Sequence, residues 1–348
     1  MSNVVNIDSL NRQAVTYDPY LRTLPFQTLE EITAKFGFSV MEITGKHVKT
    51  SFHRRGGLMK PYSTEVIDKE SPEVGKLVES ELSLAKAYCS IFDHIDNYKS
   101  VNVLSNAGEK VDNKTKKHPL EKQILENVVR TWSEDVVDTI FFGERDTADQ
   151  SPMGAFDGIE TKLTALITAG EVSTAKGNLI ESGDIVYPTD ASTAALDSVV
   201  AWFRAINPKM RRNKRLLWIV PEGVLLSVIQ AIDNKLQYRS VATAEHVKDY
   251  LKVHALVNNL EIITDPCLGT GKRWYLTQPG NFDFGMNTKS DGQFVQVRNP
   301  KIDPNIVQFW IQAEYGTRIN EHHSSVLAVN ELAAVASPLS GDYQIAAS

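Results

Sequence analysis

Three kinds of short stretch in this sequence hold residue types that could do chemistry. The first, "LGTGKR" (Leu268–Arg273), contains Gly-X-Gly-Lys, the kernel of a phosphate-cradling loop. A phosphate loop needs a second Gly five residues before the Gly-Lys pair, and Ser or Thr after the Lys to hold magnesium. Here Pro266 stands at the first position and Arg273 at the second. The dinucleotide fingerprint fails as well, because Trp274 occupies the place of its third glycine. The stretch therefore reads as a turn leading into a strand.

"NEHHSS" (Asn320–Ser325) sets two histidines side by side. Neighbours on a strand point to opposite faces, and no third ligand stands at metal spacing, so a surface or interface turn is expected. The remaining histidines (His47, His53, His94, His118, His246, His254) are scattered and form no zinc-protease helix. No Gly-X-Ser-X-Gly elbow or kinase motif is present. The 43 Asp and Glu residues leave room for a paired-carboxylate cleft, but no pair is singled out by its setting. Cys89 and Cys267 are far apart and read as small buried hydrophobes of a reducing compartment. The expectation is no catalytic residue, no cofactor and no metal.

The third kind of stretch is basic. Arg54-Arg55, with Lys60, flank the Gly56-Gly57 turn, and Lys209, Arg211, Arg212, Lys214 and Arg215 crowd "KMRRNKR". Neither has the aromatic interleaving of a single-strand binder nor the helix or ribbon of a duplex reader. With 37 Lys and Arg against 43 acids the formal charge is −6, so the average surface repels nucleic acid and anionic membrane. Contacts with acidic patches on another copy of the chain need only that this negative surface be repeated by symmetry. No run approaches the ~20 apolar residues that span a bilayer, and no secretion signal is evident, so a soluble intracellular protein is expected.

The elements that would carry these residues follow from periodicity. The polar first 26 residues, with Tyr17, Tyr20 and Phe26 as scattered anchors, read as an extended arm that orders on another surface. Thr28–Phe36 is a short helix stopped by Gly37. From Phe38 the period becomes two, with Val48, Thr50 and Phe52 on one face and His47, Lys49, Ser51 and His53 on the other. This strand should turn at Gly56-Gly57 and return through 58–66, with a further extended stretch over 74–92. A two-stranded hairpin is marginal in water, so it needs something to lie on.

A basic connector (110–117) precedes the strongest helix, in which Leu120, Ile124, Val128, Trp132, Val136 and Ile140 repeat every four residues over about 35 Å. A helix to Ala169 follows. After Asp184 come a helix from Ala191 to Ile206 capped by Asp190, the buried strand "LLWIV", helices near 222–232 and 245–253, and strands at 260–264 and "RWYLT". The last third alternates again, notably Val307, Phe309, Ile311, Ala313 and Tyr315.

This order resembles the tailed-bacteriophage major capsid protein family, whose Hong Kong ninety-seven type shell fold also occurs in encapsulins. Three stretches carry the resemblance: the helix running into "FFGERDTADQSPMGAFDGI", the strand and helix "RRNKRLLWIVPEGVLLSVI", and the strand "FWIQAEYGTRI". It implies an α+β fold with an N-terminal arm and short helix (1–37), an extended hairpin loop (38–92), a peripheral domain (93–170 and 285–335) around a spine helix (119–142), an inserted axial domain (171–284) and a tail (336–348). It implies further that hairpin residues Val48, Phe52, Arg54, Arg55 and Lys60, and arm residues Tyr17, Tyr20 and Phe26, contact neighbouring copies. The function implied is a structural subunit that self-assembles as hexamers and pentamers into the icosahedral shell of a virion, in the cytoplasm of a bacterial host. The implied partners are a separate scaffolding protein, a portal protein and double-stranded DNA held without sequence specificity, with a decoration protein as an optional addition and no membrane. An encapsulin-like compartment is the alternative, and an oligomeric hydrolase with an unrecognised carboxylate site the remote one. No motif for covalent cross-linking is carried over.

Overall fold

The computed structural model describes residues 7–54, 75–94, 120–149, 151–188, 192–212, 215–236, 243–287, 294–299 and 306–336. The chain opens with a helix, α1 (Ile7–Phe36), where an extended arm is expected. The correction has a physical basis. Leu10, Ala14, Tyr17, Leu21 and Leu24 recur at alternating spacings of four and three, which puts them on one stripe. Pro19 and Pro25 lie inside the helix and each removes one backbone bond, at about 3 kcal/mol. Leu10, Leu21, Leu24, Leu29 and Phe36 are buried, and at about 2 kcal/mol each their burial outweighs both prolines. The helix ends as expected: Gly37 has φ +66°, its N–H meets Ala34 O at 3.2 Å, and Phe38 N–H meets Thr33 O at 2.8 Å. These two bonds close a Schellman cap.

Five strands form the first sheet. β1 (Ser39–Glu42) runs parallel to β9 (Phe282–Asn287), and β9 pairs with the far half of the long β11 (Ile306–Ile319). β10 (Val295–Arg298) and β4 (Ala85–His94) flank the near half of β11 on its two edges. Against this sheet lies α2 (Leu120–Phe142), whose buried face of Ile124, Leu125, Val129, Trp132, Val136, Val137, Ile140 and Phe141 matches the apolar stripe read from sequence. Trp132 Nε1 donates to the buried Tyr315 hydroxyl on β11 at 2.8 Å, tying helix to sheet. α1 packs along α2, and α3 (Ile159–Thr168) closes the layer.

The second sheet has the order β5 (Leu179–Ile180), β12 (Leu327–Asn330), β8 (Tyr275–Thr277), β6 (Leu216–Ile219) and β7 (Leu260–Ile263). Both of its faces are covered. Leu217, Ile219, Tyr275, Leu327 and Val329 join the core shared with α1 and α2, while Leu216, Trp218, Leu276 and Ala328 join a second core. That second core is closed by α4 (Ala194–Ala205), α6 (Glu222–Leu236) and α7 (Ala244–His254), with the single turn α5 (Pro208–Arg211) beside it. Double-sided burial explains the unbroken apolar run "LLWIV". α4 starts at Ala194 with Thr193 as its N-cap; Asp190, expected there, lies outside the described residues. β12, read from sequence with the peripheral part, hydrogen-bonds into this second sheet.

Candidate assembly surface

The hairpin consists of β2 (Lys46–Arg54) and β3 (Gly75–Ser83), paired from Lys46↔Ser83 to Arg54↔Gly75. The expected return strand at 58–66 lies outside the described residues, and the partner of β2 is 75–83. Val48 is 53% exposed and Leu77 64% exposed, on the face shared with Thr50, Glu79 and Glu81. The opposite face turns inward: Leu82, at the root, and Ser51, farther out along β2, are buried. The polar face of the sequence reading is thus the one that meets this chain's own body.

The root is fastened by residues the sequence analysis did not single out. Arg318 on β11 and Asp283 on β9 form a buried ion pair, with Arg318 Nε 3.1 Å from the carboxylate. The same guanidinium donates to His47 O at 3.0 Å and Ser80 O at 3.2 Å, one carbonyl from each hairpin strand. Gly285 and Gly316 face each other across β9 and β11. A Cβ on Gly316 would lie 2.3 Å from Ser83 O, and one on Gly285 2.9 Å from Leu82 Cδ2. Gly316 lets the chain pass over the sheet in backbone contact as it runs from β3 to β4, and Gly285 makes room for the Leu82 and Leu84 side chains.

Beside the root, the outer face of the first sheet carries Tyr88 stacked on Trp310 at 5.2 Å, Arg298 over the Trp310 ring, and exposed Phe92. Along the edge of β4 runs a cavity of about 520 Å³, walled by α2 and by 145–156 and lined among others by Tyr88, Cys89, Asp135, Arg145, Asp146 and Asp149. Burial, reinforced by Asp138 and Glu134, pushes the Asp135 carboxyl up to about 6. Burial also raises the Cys89 thiol to about 11 and holds the Cys267 thiol well above its ordinary range, so neither is poised as a nucleophile.

The other expected sites fall as follows. Tyr17 is half-buried against the shared core and Tyr20 is exposed; Lys122 of α2 sits 5.1 Å and 4.6 Å from their rings. Both tyrosines therefore contact this chain's own spine helix, where an arm reaching outward is expected. The side chains of Phe26, Phe52 and Arg54, and residues Arg55, Lys60 and Lys214, lie outside the described residues. In the second basic cluster Arg211 donates to Ile206 O at 3.1 Å and also to Arg204 O, closing the end of α4, and Arg215 pairs with Glu261 at 2.7 Å. Lys209 and Arg212 are exposed.

In the glycine turn, the N–H groups of Thr270 and Gly271 donate to Val335 O at 3.0 and 3.2 Å, so the turn cradles this chain's own backbone. Of the two histidines expected on a surface or interface turn, His322 is buried with Nε2 3.4 Å from Glu171, while His323 bonds Ser325. Among the described residues no three His, Cys, Asp or Glu side chains gather as a metal site. Among the same residues no helix is long and apolar enough to cross a membrane.

No family model matches this chain, and no curated protein matches it significantly. Solved structures do. A chain from the satellite phage P4 procapsid including the size determination (Sid) protein aligns over 87% of this chain and 89% of its own, at 12% identity and a TM-score of 0.53. The fold is that of a phage capsid shell. A chain from the capsid of the native GTA particle aligns over 87% of this chain and 90% of its own, at 10% identity and a TM-score of 0.50. At identities this low the likeness is one of fold, which the pattern and volume of apolar residues can specify without shared sequence.

Proposed function

We propose that this chain is a major capsid protein, the structural subunit of an icosahedral shell that encloses the double-stranded DNA of a tailed phage. The observation that carries the reading is the hairpin: on a capsid-type fold it holds Val48 and Leu77 in water while its root is fixed by the buried Arg318–Asp283 pair. A pinned strand pair with an apolar outer face gains by covering that face with a copy of the same chain. Apolar burial at about 25 cal/mol per Å² supplies most of the contact energy, since rim ion pairs add only about 0 to 1 kcal/mol each. The shell is held by many such weak contacts, repeated by symmetry in hexamers and pentamers.

The net charge of −6 suits a container whose inner wall must let DNA slide, and the partners that go with this role are a scaffolding protein and a portal. The location that goes with it is the virion, assembled in the host cytoplasm. The subunit has no catalytic task in this reading. The test is Val48→Asp combined with Leu77→Asp, produced with and without a co-expressed scaffold. Electron microscopy and light scattering should show particles for the parent chain and none for the variant, while circular dichroism and the urea midpoint stay unchanged. Particles of normal yield from the variant would overturn the proposal.

A further inference from the structure

Away from the hairpin, the surface where α4, α5 and α7 meet is basic. Arg204 donates from Nε to His254 O at 2.9 Å and so joins the ends of α4 and α7, while Arg211 bonds Ile206 O and holds α5 beside them. Lys209, Arg212 and Lys252 are exposed, and among the described residues neither they nor Arg204 pair with a carboxylate. On a chain of net charge −6 this is a local concentration of uncompensated cations. Within it stands Leu256, the residue after the cap of α7, at φ 55°. Helices ordinarily carry glycine there, because a Cβ is strained in the left-handed region. Among the described residues Leu256 is the only non-glycine so placed; its side chain is 67% exposed, and Val253 near it is 69% exposed. Strain accepted to hold a leucine in water marks a surface that something covers.

We propose that this surface is one half of a head-to-tail contact between copies of the chain, the other half being the outer face of α6 with the 181–187 segment. That face is apolar and acidic where the first is apolar and basic. Val186, Tyr187 and Leu226 are exposed on it, and the Tyr187 hydroxyl lies 3.4 Å from Gln230, four positions along α6 from Leu226. Its acids are Glu181, Glu222 and Asp233, with Asp184 matched by Lys272 at 2.5 Å. Complementary charge fixes the register, and the apolar residues supply the buried area. Nucleic acid is the poorer occupant, because an exposed leucine and valine offer nothing to phosphates. Two different faces joined by one rotation repeat from copy to copy and close a ring. The contact rests on the reading of this chain as a shell subunit, and it holds subunits side by side within a hexamer or pentamer.

Sedimentation of the full chain tests this with two charge reversals and one truncation. Arg212→Glu with Lys252→Glu turns the first face acidic, and Glu181→Lys with Glu222→Lys turns the second basic. Each chain alone should associate about tenfold more weakly than the parent, and an equimolar mixture should regain association, because each reversed face then meets its opposite. Leu256→Gly should weaken association about tenfold while the thermal midpoint of the unassociated chain stays level or rises, since glycine relieves the left-handed strain.

Association of Leu256→Gly at parent strength, or no recovery on mixing, overturns the proposal. So does a first variant that keeps its self-association and loses binding to a double-stranded DNA fragment, which assigns the surface to nucleic acid. A parent chain that never associates, with or without a co-expressed scaffold, overturns this proposal and the capsid reading together. A parent that associates no better than all three variants overturns this proposal alone.

Discussion

Asp135→Asn should stabilise the chain at neutral pH. Asp135 lies on α2 at the wall of the cavity along β4, beside Glu134 and Asp138 and facing Cys89, and its carboxyl is raised from 3.8 to about 6. A carboxyl raised on folding binds its proton more tightly in the folded chain. Its contribution to folding stability is therefore greatest at low pH and falls as pH rises through about 4 to 6. A gap of about 2 pH units corresponds to about 3 kcal/mol. The side chain is only half-buried, and solvent screening reduces the expected cost of the charge to about 1 kcal/mol. The amide has nearly the same shape and no charge. Urea denaturation of the unassembled chain should show the variant about 1 kcal/mol more stable than the parent at about pH 7.5, with the difference falling to about half at about pH 5 and toward zero below about pH 4. A variant less stable than the parent by the same amount at both pH values would refute the reasoning, because it would mean the carboxylate makes a needed contact.

Gly316→Ala should cost about 2 to 3 kcal/mol, since the new methyl meets the Ser83 carbonyl, and thermal unfolding measures it. Arg318→Ala leaves Asp283 buried without its partner and frees two hairpin carbonyls, so a loss of about 3 to 5 kcal/mol is expected by denaturant titration, with faster proteolytic nicking of the hairpin than in the parent. Pro25→Ala restores a bond donor inside α1, so helical circular dichroism and the thermal midpoint should rise slightly; a lower midpoint would show that packing of the buried ring outweighs the restored bond.

What can be read from the sequence is what local periodicity records. The spine helix is legible because its four-residue repeat runs unbroken from Leu120 to Ile140, and the buried strand of the second sheet because five apolar residues stand together at Leu216–Val220. The arm is misleading because Pro19 and Pro25 carry a strong local signal against helix, whereas the stripe of Leu10, Ala14, Leu21 and Leu24 matters only once α2 is there to cover it. Packing overrides propensity, at a cost that five large buried side chains can meet. The partner of β2 is hidden for a related reason: two later stretches are extended enough to pair with it, and only the tertiary position of β3 at the crossing decides between them.

The root of the hairpin is concealed in a subtler way. Along β11 inward and outward residues alternate up to Tyr315, and then Gly316, Thr317, Arg318 and Ile319 are all buried. The break falls where β3 passes over the sheet, so both faces of that segment are covered and an arginine there must find its partners inside. A glycine within a strand, followed two residues later by an arginine, is the available signal of close backbone approach. It stays ambiguous without the register that sets Gly316 opposite Gly285, 31 positions earlier in the chain. The same geometry links fold to proposed role: the pair of glycines and the buried ion pair fix where the hairpin leaves the body, and that exit is what keeps Val48 and Leu77 in water for a neighbouring copy to cover.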